Sequence, residues 1–314
     1  MALLADASPS APAATAVMAR AGGENFPVAS RVLPARSRAH LLALYGFARL
    51  VDTLGDEAPG DRLAALDWLE EELDRAYAGR AAHPLLVRLQ ATLRECGLPR
   101  EPFQRLLEAN RVDQRVTRYE TWDELLGYCT LSANPVGELV LHVVGHATPE
   151  RIRLSDSICS ALQLAEHWQD VAEDHARGRI YLPGEDRRRF GVRDEELAGG
   201  VARLGGPDER VRPEAGVVTG GRAATGGERR ASWRLRALLT FEVARTRELL
   251  SEGESLIATL HGRERLAVAA FAGGARAALE AIERAGYDVL AGPPQASRAR
   301  RAAATARLLA EQRR

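Results

Sequence analysis

LYGFARLVDTLGDE, residues Leu44 to Glu57, is the stretch on which the reading of the fold turns. Tyr45, Arg49, Asp52 and Asp56 recur at i, i+4, i+7 and i+11, so at about 100° per residue a helix gathers them within roughly 60° of one another. Leu41, Leu42, Leu44, Phe47, Leu50, Val51 and Leu54 flank these four. The result is a polar seam between apolar positions, unlike the wide polar face of a solvated helix. QLAEHWQDVAEDHARGRIYLP, from Gln163 to Pro183, repeats the pattern: Gln163, Glu166, Asp170 and Asp174 stand at i, i+3, i+7 and i+11, within roughly 80°.

Working outward, apolar residues recur at helical spacing nearly throughout, and alternating runs rich in Val, Ile and Thr are absent, which predicts an all-α protein. Helix boundaries are marked by Pro34 with Ser37, by Gly60 with Asp61, by Gly97 to Pro99, and by Asn134 with Pro135. One helix is expected from about Pro149 to Asp174, ended by Arg177 and Gly178. The domain reading is a disordered Ala, Pro and Ser-rich leader over 1–23, a single helical domain over 24–290, and an Arg-rich tail over 291–314. Residues 199–230 read as a flexible insertion, rich in Gly and Arg and without periodicity. Its glycines lack the GxxxxGK[ST] pattern and follow no strand, so they are not a phosphate loop.

Composition excludes several classes. The 314 residues are 46% hydrophobic and 27% charged, ordinary for a chain that buries a sizeable core. Lys plus Arg and Asp plus Glu balance at 43 each, so no global field favours nucleic acid. Every basic residue is Arg, which reads as codon bias and carries no functional weight. Cys96, Cys129 and Cys159 are odd in number and widely spaced, against both a disulfide framework and a CxxC metal site, and they fit a reducing cytoplasm. No run approaches the length that spans a bilayer.

Carboxylates one helical turn apart repel, so two DxxxD pairs among apolar residues call for a cation. Mg2+ suits the donors, since it takes one or two carboxylates together with waters and substrate phosphate oxygens. Arg49 would add a charge-assisted contact to a diphosphate held between the motifs. Either motif alone is also what an exposed helix end looks like. His142, His146, His167 and His175 read as packed or exposed helical histidines, with no HExxH acid beside them.

The motifs in series resemble the squalene/phytoene synthase family, over about Glu24 to Leu290. ENFPVASRVLP leads into the first aspartate-rich helix; YCTLSANPVGELVLHVVG, Tyr128 to Gly145, matches the central tyrosine-cysteine and small-residue signature; and the Gln163 to Pro183 stretch matches the second aspartate-rich helix with its GRxYLP exit. ENFPVAS, the WQD of Trp168 to Asp170, and IERAGYDVL resemble the branch of the hopanoid cluster that makes hydroxysqualene. The resemblance implies an isoprenoid synthase helical fold with the motifs facing across a central apolar cavity. It implies Mg2+ on Asp52, Asp56, Glu166, Asp170 and Asp174, diphosphate contacts from Tyr45, Arg49, Gln163 and Arg276, and a thin cavity wall at Ala133 and Gly137. Thr53, Glu166 and Gln169 depart from the family pattern, where a second Asp, an Asn and, in phytoene and squalene synthases, an Arg are usual.

By that resemblance the substrate is presqualene diphosphate, ionised in a dry pocket and captured by one water. Squalene or phytoene-type synthesis from two prenyl diphosphates, and a noncatalytic assembly factor of the same fold, are the other readings. No GxGxxG unit is visible, although squalene synthases bind NADPH without one. The resemblance also implies a monomer or homodimer in the cytoplasm, weakly and peripherally attached to the inner face of the cell membrane. Arg298, Arg300, Arg301 and Arg307 around Leu308 and Leu309 suggest a short basic helix on anionic lipid as the contact.

Overall fold

The computed structural model describes residues 12–18, 32–198 and 230–312. Among them there is no strand, only an isolated bridge between Arg118 and Ile180. The helices are α1 (Ala14–Met18), α2 (Ala35–Asp52), α3 (Arg62–Tyr77), α4 (Pro84–Cys96), α5 (Glu101–Asp113), α6 (Trp122–Ser132) and α7 (Asn134–Val143). They continue as α8 (Pro149–Gln169), α9 (Val171–Ala176), α10 (Gly184–Phe190), α11 (Trp233–Glu254), α12 (Gly262–Arg284) and α13 (Arg298–Glu311). The sequence punctuates them locally. Thr121 and Glu124 close a capping box on α6, while Thr148, Ser232 and Ser297 each accept a backbone N–H in the first turn of α8, α11 and α13. Gly97 ends α4 at φ 59°, a left-handed cap.

Two apolar clusters make the core. One is built mainly on α2 to α5 with Leu139 and Val140 of α7; the other on α6, α8, α11 and α12. Helix α8 is central to the second, packing against α6, α7, α11 and α12. Its Trp168 is fully buried and donates from Nε1 to Thr246 Oγ1 of α11 at 2.8 Å. Gly253 lets α11 cross α8 closely, because a Cβ there would stand 2.7 Å from the Leu154 carbonyl oxygen.

Both aspartate motifs depart from the regular helix that the spacing predicts. Helix α2 gives way after Asp52 to a π-helical turn, Thr53–Glu57. Thr53 Oγ1 bonds the Arg49 carbonyl at 2.8 Å, and Gln114 Nε2 donates to the Gly55 carbonyl at 2.9 Å, so side chains compete for the ladder. The expected helix to Asp174 is likewise broken. Asp170 has φ −101° and ψ 16°, outside helical geometry, and separates α8 from α9.

Two segments differ from the domain reading. Within the expected leader, Ala14–Met18 is helical, with Val17 buried in the first cluster; the rest of 1–23 lies outside the described residues, apart from 12 and 13. The insertion over 199–230 lies outside them too, apart from Arg230. The Arg-rich tail is a docked helix: Ala304 and Leu308 of α13 are fully buried and Leu309 packs on the second cluster. The expected lipid-lying helix is therefore corrected, since both leucines already serve the core and leave no apolar stripe for lipid. No helix among the described residues is long and apolar enough to cross a membrane.

Helix α13 approaches α12 at Gly273, where a Cβ would meet Thr305 backbone N at 2.8 Å and Cα at 2.9 Å. Gly273→Ala is expected to cost about 1–3 kcal/mol by overpacking and to loosen α13. Limited proteolysis checks this: faster cleavage C-terminal to residue 290 is the expected result, and an unchanged digest with an unchanged melting temperature counts against the close approach.

Candidate active site

A cavity of about 540 Å3 lies where the two clusters meet. Its walls are largely apolar: Ala133, Val136, Gly137 and Val140 from α7 and its entry, Ile158 and Leu162 from α8, and Val268 and Phe271 from α12. Along α8, Ser155, Cys159, Gln163 and Glu166 all line it, so the wall runs for about 16 Å, the rise of the helix from Ser155 to Glu166. The charged residues lining the cavity are Arg49, Glu166 and Arg301. A smaller cavity beside it shares Leu162, Glu166, Gln295 and Arg301 and adds Gln169 and Asp170.

The two motifs thus meet one cavity. From the first, Arg49 faces the cavity while its guanidinium stands 4.0 Å from Asp52 and 3.9 Å from Glu57. Asp52 and Asp56 are about half exposed, and Tyr45 is buried in α2. Thr53 turns its hydroxyl inward to the Arg49 carbonyl and so does not replace the missing carboxylate. From the second motif, Gln163 and Glu166 line the main cavity and Asp170 the smaller one. Asp174 lies to the side, in a niche with His167, Arg179 and Tyr181. There His167 Nδ1 is 3.7 Å from Asp174, its Nε2 is 3.1 Å from Gln163 Nε2, and its ring stacks on Tyr181 with centroids 3.6 Å apart. Burial holds the imidazole below its ordinary value, against the pull of Asp174. A neutral ring accepting from Gln163 at Nε2 keeps its proton on Nδ1, toward Asp174.

Arg276 is not among the lining residues. It is gripped by Glu254 of α11 at 2.7 Å and Glu311 of α13 at 2.9 Å. Ala133 and Gly137 do lie in the wall, and a Cβ on Gly137 would stand 2.3 Å from Ser155 Oγ and 2.5 Å from Cys159 Sγ. Sequence reasoning missed Gln295 and Arg301, because a tail carries no signal of where it docks. It also missed Arg179, which reaches Asp56 at 3.1 Å and ties the exit of the second motif to the first. That residue stands inside the quoted GRIYLP, so its motif was visible and its role was not. Tyr128 donates to Asp113 at 2.9 Å, whose carboxyl is pushed up to about 6, first by burial.

The family model for squalene/phytoene synthase matches residues 19–213 and 218–304. The chain belongs to the squalene/phytoene synthase family. A hydroxysqualene synthase from Sinorhizobium fredii is 38% identical over 185 residues, 58% of this chain and 62% of that protein, so this chain spans about three fifths of that relative's length. A phytoene synthase from Arthrospira platensis is 31% identical over 281 residues, covering 85% of this chain and 82% of its own. The crystal structure of squalene synthase HpnC from Alicyclobacillus acidocaldarius superposes with a TM-score of 0.73 at 41% identity, covering 87% of this chain and 93% of that one. The all-α fold is thus the isoprenoid synthase fold of that structure.

The donors suit a hard divalent cation. They are carboxylate oxygens, and the Asp170 carboxyl is pushed up to about 6, first by burial and then by Asp174 and Glu173. Among the described residues no three His, Cys, Asp or Glu converge closely enough to hold an ion unaided.

A raised carboxyl binds its proton more tightly in the folded state. It therefore adds stability below the ordinary value of 3.8 and loses it as pH rises through about 6. Asp170→Asn removes this loss. In EDTA at pH 7.5 the variant is expected to melt roughly 2 °C higher than the wild type, with the difference gone at pH 4. An equal or lower melting temperature at pH 7.5 would show that Asp170 is not an uncompensated charge.

Proposed function

We propose that this chain is a hydroxysqualene synthase that converts presqualene diphosphate and water into hydroxysqualene and diphosphate. The observation that carries the reading is one largely apolar cavity lined by Arg49 of the first aspartate-rich motif and by Gln163 and Glu166 of the second. The HpnC likeness over most of the chain and the hydroxysqualene synthase relative support the choice of substrate.

The chemistry divides along the cavity. Val136, Val140, Ile158, Leu162 and Val268 enclose the prenyl chains and exclude bulk water. Arg49 and Gln163 orient the diphosphate, and Asp52, Asp56, Asp170 and Asp174, with Glu166, would hold Mg2+. When bound, the metal supplies Lewis-acid charge neutralisation to the diphosphate oxygens. The C–O bond to diphosphate then breaks, the diphosphate leaving with the electron pair. The cyclopropylcarbinyl cation rearranges, a water oxygen forms the new C–O bond, and its proton passes to the released diphosphate. Electrons balance without a reductant. The apolar walls protect the cation from early capture. Hydroxysqualene is too apolar to dissolve in water, so we place release at a membrane surface, through the cavity mouth.

A second reading, phytoene- or squalene-type synthesis, draws on the Arthrospira platensis relative. Gln169, where those synthases usually carry Arg, favours the first. The test is incubation with presqualene diphosphate and magnesium, with and without NADPH, followed by product chromatography and pyrophosphate assay. Hydroxysqualene in both incubations is expected. Asp52→Asn and Asp170→Asn are each expected to reduce turnover at least about 100-fold, as the loss of a ligand does when its interaction is made at the reacting group. Squalene that appears only with NADPH, or no pyrophosphate at all, would refute the assignment.

A further inference from the structure

The niche beside the main cavity holds a histidine to which the reaction assigns no task. His167 is buried, and its ring lies on that of Tyr181 with centroids 3.6 Å apart and planes 15° apart, a stack that resists rotation of the imidazole. Its two nitrogens face different partners. Nδ1 stands 3.7 Å from the Asp174 carboxylate, and Nε2 stands 3.1 Å from the amide nitrogen of Gln163, one helical turn earlier on α8. The order of these partners fixes each proton between them. An ionised carboxylate only accepts, so Nδ1 carries the ring proton; Nε2 is then a bare lone pair, and Gln163 must give it an N–H.

That donation decides which end of the amide is left over. Gln163 lines the main cavity, and among the described residues its carbonyl oxygen has no hydrogen-bond partner. A carbonyl oxygen repels a diphosphate and accepts from water, while the second N–H of the amide stays available to the diphosphate. It is also too weak a base to draw a proton from a carbocation, unlike the Glu166 carboxylate three residues further along the same wall. An acceptor of this kind holds a water beside a cation without opening a path to elimination.

We propose that His167 is a positioning residue that acts through Gln163, turning the amide so that its carbonyl oxygen faces the cavity and holds the water that captures the cation. The assignment rests on the hydroxysqualene reading of the same cavity. The held water gives its oxygen to the new C–O bond and a proton to the released diphosphate. Where no water is held, the cation loses a proton from a neighbouring carbon to the diphosphate and leaves as an unsaturated hydrocarbon.

Two measurements test this. The first needs no substrate: 1H–15N spectra of the full chain, 15N-labelled at histidine, at about pH 8, where an ordinary imidazole is uncharged. The His167 signals are identified among those of the seven histidines by their loss in His167→Gln. The ring is expected to carry its proton on Nδ1. A proton on Nε2 overturns the proposal, because the Gln163 carbonyl would then be turned to the ring and away from the cavity.

The second measurement is the ratio of hydroxysqualene to hydrocarbon products formed from presqualene diphosphate with magnesium. His167→Phe keeps a ring on Tyr181 and removes both polar contacts. It is expected to lower the ratio about 3- to 10-fold, the worth of one hydrogen bond, and to slow substrate consumption less than that. Gln163→Leu is expected to lower the ratio at least as far, and the double variant no further than Gln163→Leu alone, since residues acting through one contact are not additive. His167→Gln returns an acceptor near the place of Nε2 and is expected to restore most of the ratio. A purely packing role would slow consumption and leave the ratio where it was. An unchanged ratio in His167→Phe, or effects of His167→Phe and Gln163→Leu that add in full, overturns the proposal. Should His167→Phe fail to fold, the wild-type tautomer and the comparison of His167→Gln with Gln163→Leu decide it. A wild type that makes no hydroxysqualene loses the reaction itself; one that makes it in a share indifferent to His167 loses only this assignment.

Discussion

Negative charge at the ends of two helices is the constraint around which this molecule is arranged. Asp52 is the last residue of α2, and Asp170 caps the C-terminus of α8. A helix C-terminus carries partial negative charge, so a carboxylate there is disfavoured, typically by about 0.3–1 kcal/mol, before burial and acidic neighbours are counted. At Asp170 burial adds most to the cost, and Asp174 and Glu173 add to it by repulsion. A natural chain keeps such an arrangement where a cation offsets it during function. The irregular backbone at both places follows from the same demand. A π turn after Asp52 and a single non-helical residue at Asp170 change the direction of the chain at the point where ligands must converge.

The rest of the fold supports those two ends. Helix α8 is packed on several sides and held by Trp168 to α11, so its cavity-facing residues have fixed positions. Gly137 brings α7 close to Ser155 and Cys159, and Gly253 brings α11 close to Leu154 and Ile158. The apolar cavity is what remains between two cores that do not merge, and Arg49, Glu166 and Arg301 are the charged residues lining it. Arg49, beside Asp52 and Glu57, and Arg179, paired with Asp56, offset the carboxylates of the first motif. Magnesium would add to that set of counter-charges and be completed by the diphosphate itself.

Much of this was legible in the sequence, for identifiable reasons. The helices could be read because period and caps are local, as with Thr121 and Glu124 on α6. Arg49, Gln163 and Glu166 could be placed on one cavity because each shares a helical face with an aspartate. The π turn could not be read, since it depends on Gln114 and Asn110 of α5 and its cap meeting Gly55. The docking of α13 was equally hidden. A basic segment with two leucines fits a lipid surface and a protein groove alike, and the choice is made by Gly273, far away in the chain. The ion pairs of Arg276 were hidden for the same reason: its partners Glu254 and Glu311 lie 22 and 35 residues off and belong to other helices.

The most direct measurement of the central claim is a crystal structure of the full chain with manganese in place of magnesium and an unreactive prenyl diphosphate analogue, phased to locate the metal by anomalous scattering. The account predicts manganese at the cavity mouth, ligated by Asp52 from one motif and Asp170 from the other, with the diphosphate bridging and the prenyl chain along the α8 wall. Manganese confined to one motif, or an analogue whose chain lies outside the cavity, would contradict it.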